Sequence, residues 1–417
     1  MEGFMKKTIA MLLALVMMLS LASIASAEGK TIVYWSMWES TEPQGIVIQK
    51  AVDAYVAETG NKVDLQFKGR TGIREGLQPA LDAGTVIDLF DEDIDRVNTL
   101  WGSYILDLEE MVKASDYEAT AIAGLMGACR EVGGGVLKSI PYQPNVFNYF
   151  YNQAIFDEAG ITEVPQTWEA FLDACEKVKA AGYIPVTSDD AYILSTLGYH
   201  MARYLGSAGV TKVVKEGLWA EEPAVLKSAQ ALEDMATKGY FSPTIGSSVW
   251  PTNQNGEMAL GLAGMYLNGS WLPNEVKAMT GPDFVWGCFS YPAVEGGTVG
   301  VEGANYGAQV FAINNKSEVA QEAFDLIVKL TKGEYDQMLS VESVGIPADT
   351  TNTEWPAALA GVKPVMDSLS VRFPWAAGIE DNADMTPIIK QELQKLCAGE
   401  ITAQQFVDNL EAKSASN

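Results

Sequence analysis

The sequence predicts an α/β protein of two lobes, on three observations. Short apolar, β-rich runs alternate with amphipathic helical patterns from residue 31 onward, the pattern of parallel sheets covered by helices. The chain has 417 residues, enough for two or three domains and a sizeable core. It carries no internal repeat and no low-complexity linker, so lobes joined by several short crossings fit better than beads on a string.

The first third supplies the clearest alternation. TIVYW (31–35) reads as a buried strand. GIVIQKAVDAYVAETG reads as a helix with Val47, Ala51, Ala54 and Tyr55 on one face and Gly60 as its stop. KVDLQF is a strand, GIREGLQPALDAGT a helix broken near Pro79, and VIDLFDED a second buried strand running into an acidic loop. This is β-α-β-α-β.

The middle changes character. GGGVLKSIPYQPNVFNYFYNQ opens with a glycine turn at 133–135, passes Pro141 and Pro144, and ends as a strand at Asn152. A short helix follows, AIFDEAGI. Thr167 then caps a strongly amphipathic helix that runs to Gly182. IPVTS is strand-like, helices fall at about 191–206, 223–238 and 253–262, and GMYLN (264–268) is a strand ending at Gly269-Ser270-Trp271. The last third holds the strand FVWGCFSYPAV, a Gly-rich link at 296–307, the strand AQVFAIN and a helix with Ser317 as cap. Near the end, Thr402 and Gln405 form a capping box.

The N-terminus has its own chemistry. Lys6 and Lys7 precede TIAMLLALVMMLSLASIA and Ala25-Ser26-Ala27, the three parts of a secretory signal peptide cleaved after Ala27. Cleavage removes Glu2, Lys6 and Lys7 and takes the formal charge from −26 to −27. Such a charge opposes phosphate backbones and anionic lipid, so no nucleic-acid partner is expected. The four cysteines, Cys129, Cys175, Cys288 and Cys397, form no C-x-x-C and lie in apolar contexts. Export permits disulfides and leaves three pairings open, but the wide spacing favours buried free thiols. His200 is the only histidine, which excludes a zinc site with several His ligands and a histidine relay elsewhere.

In parallel α/β sheets ligands sit beyond the carboxyl ends of strands. That rule picks out Ser36, Trp38 and Glu39 after the first strand, and Asp91, Glu92 and Asp93 after the third. It also picks out Asn268 and Trp271 after 264–268, and Gln143 and Asn145 after Pro141. Aromatic faces beside carboxylates and amides suit a neutral polyhydroxyl ligand. Tyr34 and Trp35 fall inside the strand and read as core, whereas Trp38 and Glu39 read as cleft rim. Tyr199 and His200 read first as helix packing, with a cleft position open, and Asn305 stands in the 296–307 link. The acids at 91–95 fail as a calcium loop, because the sixth position is Arg96 and the twelfth Gly102. No nucleophile elbow G-x-S-x-G and no phosphate loop is present. A glycosidase would need paired carboxylates, with Glu39 facing Asp91–Asp93 across a cleft.

These landmarks, in order, resemble the extracellular solute-binding proteins of ABC-transporter sugar uptake, the maltose-binding and multiple-sugar-binding type. They are TIVYWSMW, VIDLFDED, IPYQPNVFNYFYNQAIFDEAGI, VPQTWEAFLDACEKVKAAGYIPV, NGEMALGLAGMYLNGSWL, KSEVAQEAFDLIVKLTKGEYDQ, VGIPA and LCAGEITAQQFVDNLE. The resemblance implies the two-lobed periplasmic-binding-protein fold. Each lobe is then a mostly parallel sheet flanked by helices, with a ligand cleft at a multi-strand hinge. The lobes would be 28–142 plus about 304–347, and 143–303 plus about 348–417. It implies a carbohydrate ligand, permease subunits as partners, a monomer, no catalysis, no metal and no cofactor. Carried over by position, Trp38, Glu39, Arg70, Asp91, Glu92, Asp93, Asn145, Trp271, Arg372, Phe373 and Trp375 fall at the family's ligand loops. One departure stands: no lipobox cysteine occupies the cleavage site, so periplasm and cell surface both stay open. Two alternatives also stay open, a receptor for a cationic solute such as a polyamine and a secreted glycoside hydrolase.

Overall fold

The computed structural model describes residues 29–281 and 283–415. The export signal therefore lies outside the described residues. Among these, nine strands form one mixed sheet: β1 Thr31–Ser36, β2 Lys62–Phe67, β3 Leu89–Asp93, β4 Ile140–Asn152, β5 Ile184–Thr187, β6 Ala263–Gly269, β7 Trp286–Phe289, β8 Gly303–Ile313 and β9 Val371–Phe373. The order is β2-β1-β3-β8-β4-β6-β5, with β7 added to β4 and β9 to β8. Parallel pairs lie towards both ends (β1–β2, β1–β3, β5–β6), and antiparallel pairs run through the middle (β3–β8, β8–β4, β4–β6).

Two separate cores result. One gathers Ile32 to Tyr142 with Val310 to Leu339, and the other gathers Val146 to Ala304 with Ile346 to Leu410. The long strands β4 and β8 belong to both. Tyr142 and Val310 lie in the first core, Val146 and Ala304 in the second. Each of these strands is therefore a crossing. A third crossing leaves the helix Gly333–Ser343 and enters the second core at Ile346.

The local signals act as their chemistry requires. Thr167 Oγ1 accepts from the Ala170 N–H at 3.2 Å, and Thr402 and Gln405 complete their capping box. Gly60 ends the helix Pro43–Thr59 at φ 74°, a left-handed stop that glycine enters without a Cβ clash. Three expectations need correction. Ser317 stands two residues before the cap of Ala320–Thr331; its hydroxyl donates to Asp88 at 2.6 Å and accepts from the Val319 N–H at 3.2 Å. Trp35 is only half-buried, while Trp38 is 5% exposed. The pleat explains the first of these two: Ile32, Tyr34 and Ser36 face the core, and Val33 and Trp35 take the other side, where Lys68 Nζ sits 4.0 Å over the Trp35 ring. The acidic triplet is not a loop. Asp91, Glu92 and Asp93 continue β3 and pair with Phe311, Val310 and Gln309. All four cysteines are buried free thiols.

Candidate functional site

Between the two cores lies a cleft of about 650 Å³. Its first wall comes from the loop after β1 and from the helix Gly69–Asp82: Trp38, Glu42, Arg70 and Arg74. Its floor is the crossings, with Gln143 and Asn145 from β4, Gln309 from β8 and Ser343–Gly345 from the third. Its second wall is Tyr192, Trp250, Trp271, Asn274 and Glu275.

The charges of the first wall are already matched. Arg70 Nη1 meets Glu42 at 2.8 Å and its guanidinium lies 4.6 Å over the Trp38 ring. Arg74 Nη2 meets Glu92 at 2.8 Å, and Arg96 reaches the same carboxylate at 3.1 Å. Glu92 is fully buried, so its two arginines supply the charge that burial requires.

The floor holds backbone conformations that only a constrained site keeps. Gln143 has φ 46° where β4 bulges against β8, and Val344 has φ 50°, an uncommon angle for a β-branched residue. Gln143 Nε2 donates to Ser343 Oγ at 3.1 Å, tying two crossings together. The Oε1 atoms of Gln143 and Gln309 and the Oδ1 of Asn274 are buried without a protein partner, which leaves acceptors at the cleft.

The expected site residues divide. Trp38, Arg70, Gln143, Asn145 and Trp271 line the cleft together. Glu39 does not; it is exposed, and its carboxylate lies against Gly69, a residue at φ 67°. Trp375 backs Trp271, with ring centroids 6.4 Å apart and planes at 24°, and its indole N–H goes to Glu380. Arg372 is turned to the junction of the cores, donating to the Tyr306 carbonyl and to Asp95 at 2.8 Å.

The other expected residues are placed in the core or, for the half-buried Asp93, at its edge, for identifiable reasons. Asp91 is fully buried and accepts from Tyr34, Tyr142 and the Met37 N–H. Burial pushes its carboxyl up to about 7 against those bonds. Asp93 caps the helix Ile94–Leu100, and burial with Asp95 beside it pushes its carboxyl up to about 6. Tyr199 clamps β4 to β8, donating to the Phe147 carbonyl and accepting from the Asn305 N–H. Asn305 itself donates to the Phe373 carbonyl. Asn268, fully buried, accepts from the Gly269 N–H. His200 packs on Trp168 at 4.5 Å with Nδ1 3.0 Å from the Tyr291 hydroxyl, and burial lowers it to about 3, so it is neutral.

Sequence reasoning did not select Glu42, Arg74, Tyr192, Trp250, Asn274, Glu275 or Gln309. Tyr192 carried a usable signal: it stands after the IPVTS strand, where the carboxyl-end rule applies.

The comparisons agree with this architecture. Residues 39–336 match the model of a family described as bacterial extracellular solute-binding protein. The diacetylchitobiose binding protein NgcE of Streptomyces coelicolor is 27% identical over 245 residues, 53% of this chain and 49% of that protein. A multiple sugar-binding protein of Streptococcus mutans is 25% identical over 200 residues, 46% of this chain and 47% of that protein. The chain thus spans about half the length of these two relatives. A chitin oligosaccharide binding protein superposes with TM-score 0.69 at 19% identity, covering 94% of this chain and 99% of that one. RafE in complex with raffinose superposes with TM-score 0.68 at 18% identity, covering 92% and 98%. At these identities the likeness of structures is one of fold. The family match runs over more than half of the chain and includes the second wall and all of the first but Trp38, and the chain belongs to the bacterial extracellular solute-binding protein family.

Proposed function

We propose that the protein captures a carbohydrate, a mono- or oligosaccharide, in this cleft by lobe closure and delivers it to the permease of an ABC importer. It works as an exported monomer, cleaved after Ala27, in the periplasm or at the cell surface, without catalysis or cofactor. The lobes that move are 28–142 with about 304–347, and 143–303 with about 348–417. The carrying observation is the lining: aromatic faces from both walls, Trp38, Tyr192, Trp250 and Trp271, with side-chain amides between them. Sugar C–H faces stack on such rings, and hydroxyls pair with amides and with acceptors that lack a partner. The volume lies inside the range of about 300–1,000 Å³ usual for small-molecule sites. The relatives that bind diacetylchitobiose or multiple sugars by name support the same reading.

A neutral ligand is favoured over a polyamine because Glu42 and Glu92 are taken by arginines of the same wall, and Glu275 of the second wall accepts from Asn255 at 3.2 Å. The glycosidase pairing of Glu39 with Asp91 is disfavoured because Asp91 lies in the core. Closure would turn the lobes about the three crossings, with Gln143 and Val344 as points that absorb the rotation.

The test is calorimetric titration of the mature chain with diacetylchitobiose, raffinose, stachyose and spermidine. A sugar should bind with an affinity that barely changes between low salt and about 0.5 M salt, and no product should form. Trp271→Ala should weaken that affinity roughly 30- to 150-fold, about 2–3 kcal/mol. Binding of spermidine alone, lost in salt, would sink the carbohydrate reading.

A further inference from the structure

In each lobe one wall tryptophan gives its indole N–H to a tyrosine hydroxyl, and the two lobes differ in what holds that tyrosine. In the first lobe the Trp38 indole N–H donates to the Tyr142 hydroxyl at 2.7 Å, and that hydroxyl donates to Asp91. Asp91 also accepts from Tyr34 at 3.1 Å and from the Met37 N–H at 3.2 Å, and it is fully buried. The Trp38 backbone N–H is held by Ser36 Oγ at 3.3 Å. In the second lobe the Trp271 indole N–H reaches the Tyr192 hydroxyl at 3.2 Å. The Tyr192 backbone N–H is held by Asp189 at 3.0 Å, a buried carboxylate that also accepts from Tyr266.

A buried aspartate whose partners are hydroxyls and an N–H is costly to keep, and core packing alone does not require it. What it does provide is a fixed indole. An unanchored tryptophan would have to be ordered when ligand arrives, and that ordering is subtracted from affinity. Tyr142 is also the last residue before the bulge at Gln143, so it joins the wall to a crossing strand.

We propose that Asp91 and Tyr142 are positioning residues for the cleft, a relay that fixes the Trp38 indole before ligand arrives; the opposite lobe shares only its first step, the Trp271 indole on the Tyr192 hydroxyl. Its consequence for affinity rests on the carbohydrate reading above; its structural content does not.

The experiment is indole ¹⁵N NMR of the ligand-free chain, with the Trp38 signal assigned by its loss in Trp38→Phe. Tyr142→Phe keeps the ring stacked on Phe311, whose centroid is 4.1 Å away, and removes only the hydroxyl. The Trp38 indole proton should then move and exchange with water about fivefold to tenfold faster, the worth of one hydrogen bond. Unchanged shift and exchange would overturn the relay. The second arm is a double-mutant cycle with the tightest of the three sugars. Tyr142→Phe should weaken binding about fivefold to tenfold with Trp38 present and have no effect in Trp38→Phe. An equal loss in both backgrounds would overturn it, since Tyr142 would then act on the fold and not through the indole. If no sugar binds, the carbohydrate reading fails and the NMR arm still decides the relay.

Discussion

Arg203→Met will cost about 3–5 kcal/mol of stability, the largest loss expected from a single substitution in the second lobe. Arg203 is fully buried and makes no ion pair among the described residues. Its guanidinium donates to the carbonyls of Pro292 at 3.1 Å, Gly303 at 2.9 Å and Tyr291 at 2.6 Å. The rings of Tyr291 and Phe373 lie 5.6 and 5.7 Å from its carbon. Burial lowers it to about 10, so it stays cationic at neutral pH. Methionine fills a similar volume but strands three carbonyls, each worth roughly 1–3 kcal/mol when buried unpaired. The three belong to two segments: Tyr291 and Pro292 to the loop after β7, and Gly303 to the start of β8. Their loss should loosen the start of β8, where β9 is attached. Urea unfolding followed by tryptophan fluorescence reads the loss. A midpoint within error of the parent would show that the three bonds contribute little.

The second large effect is pH-dependent and belongs to Asp91. Its carboxyl is pushed up to about 7 in the folded chain from an ordinary 3.8. Between those values the folded state holds a proton that the unfolded state has lost. Stability from this group therefore rises as pH falls through 7, and the gain is complete near 3.8. Three units correspond to about 4 kcal/mol. Asp93 and Asp336, each pushed up to about 6 by burial, act in the same direction. His200, lowered to about 3, acts in the opposite direction below 6.5. The clean measurement is thus the difference between the parent chain and Asp91→Asn, in which the other groups cancel. That difference should move in the parent's favour by about 3–4 kcal/mol from pH 8 to pH 4. A constant difference across this range would mean that Asp91 is ionised throughout. Because Asp91 carries Tyr142, the same titration should be visible in the Trp38 indole signal.

Much of the fold was legible because its signals are local. Alternation of strand and helix patterns, the cap at Thr167, the capping box at Thr402 and Gln405 and the stop at Gly60 each depend on neighbours within a few residues. The sequence by itself determined the α/β class, two lobes and the family resemblance, and it picked out five residues that line the cleft, Trp38, Arg70, Gln143, Asn145 and Trp271. Trp38 and Trp271 stand just past strands and Arg70 at a helix start, where the chain turns at the cleft, while Gln143 and Asn145 lie on the crossing strand β4.

What only the tertiary structure decided is which polar residues face the cleft and which hold it up. The acids at 91–93 look like a loop until β8, more than 200 residues later, pairs with them and extends β3 through all three. That pairing buries Asp91 and Glu92 and turns them from ligand candidates into supports for Tyr142 and Arg74. Tyr199 and Asn305 are fixed by the β4–β8 pairing in the same way. Gln309 lines the cleft beside the place where β4 bulges at Gln143. Strand register is set by a partner distant in sequence, and a side chain's face follows from register, so local pattern carries the elements while pairing assigns the site.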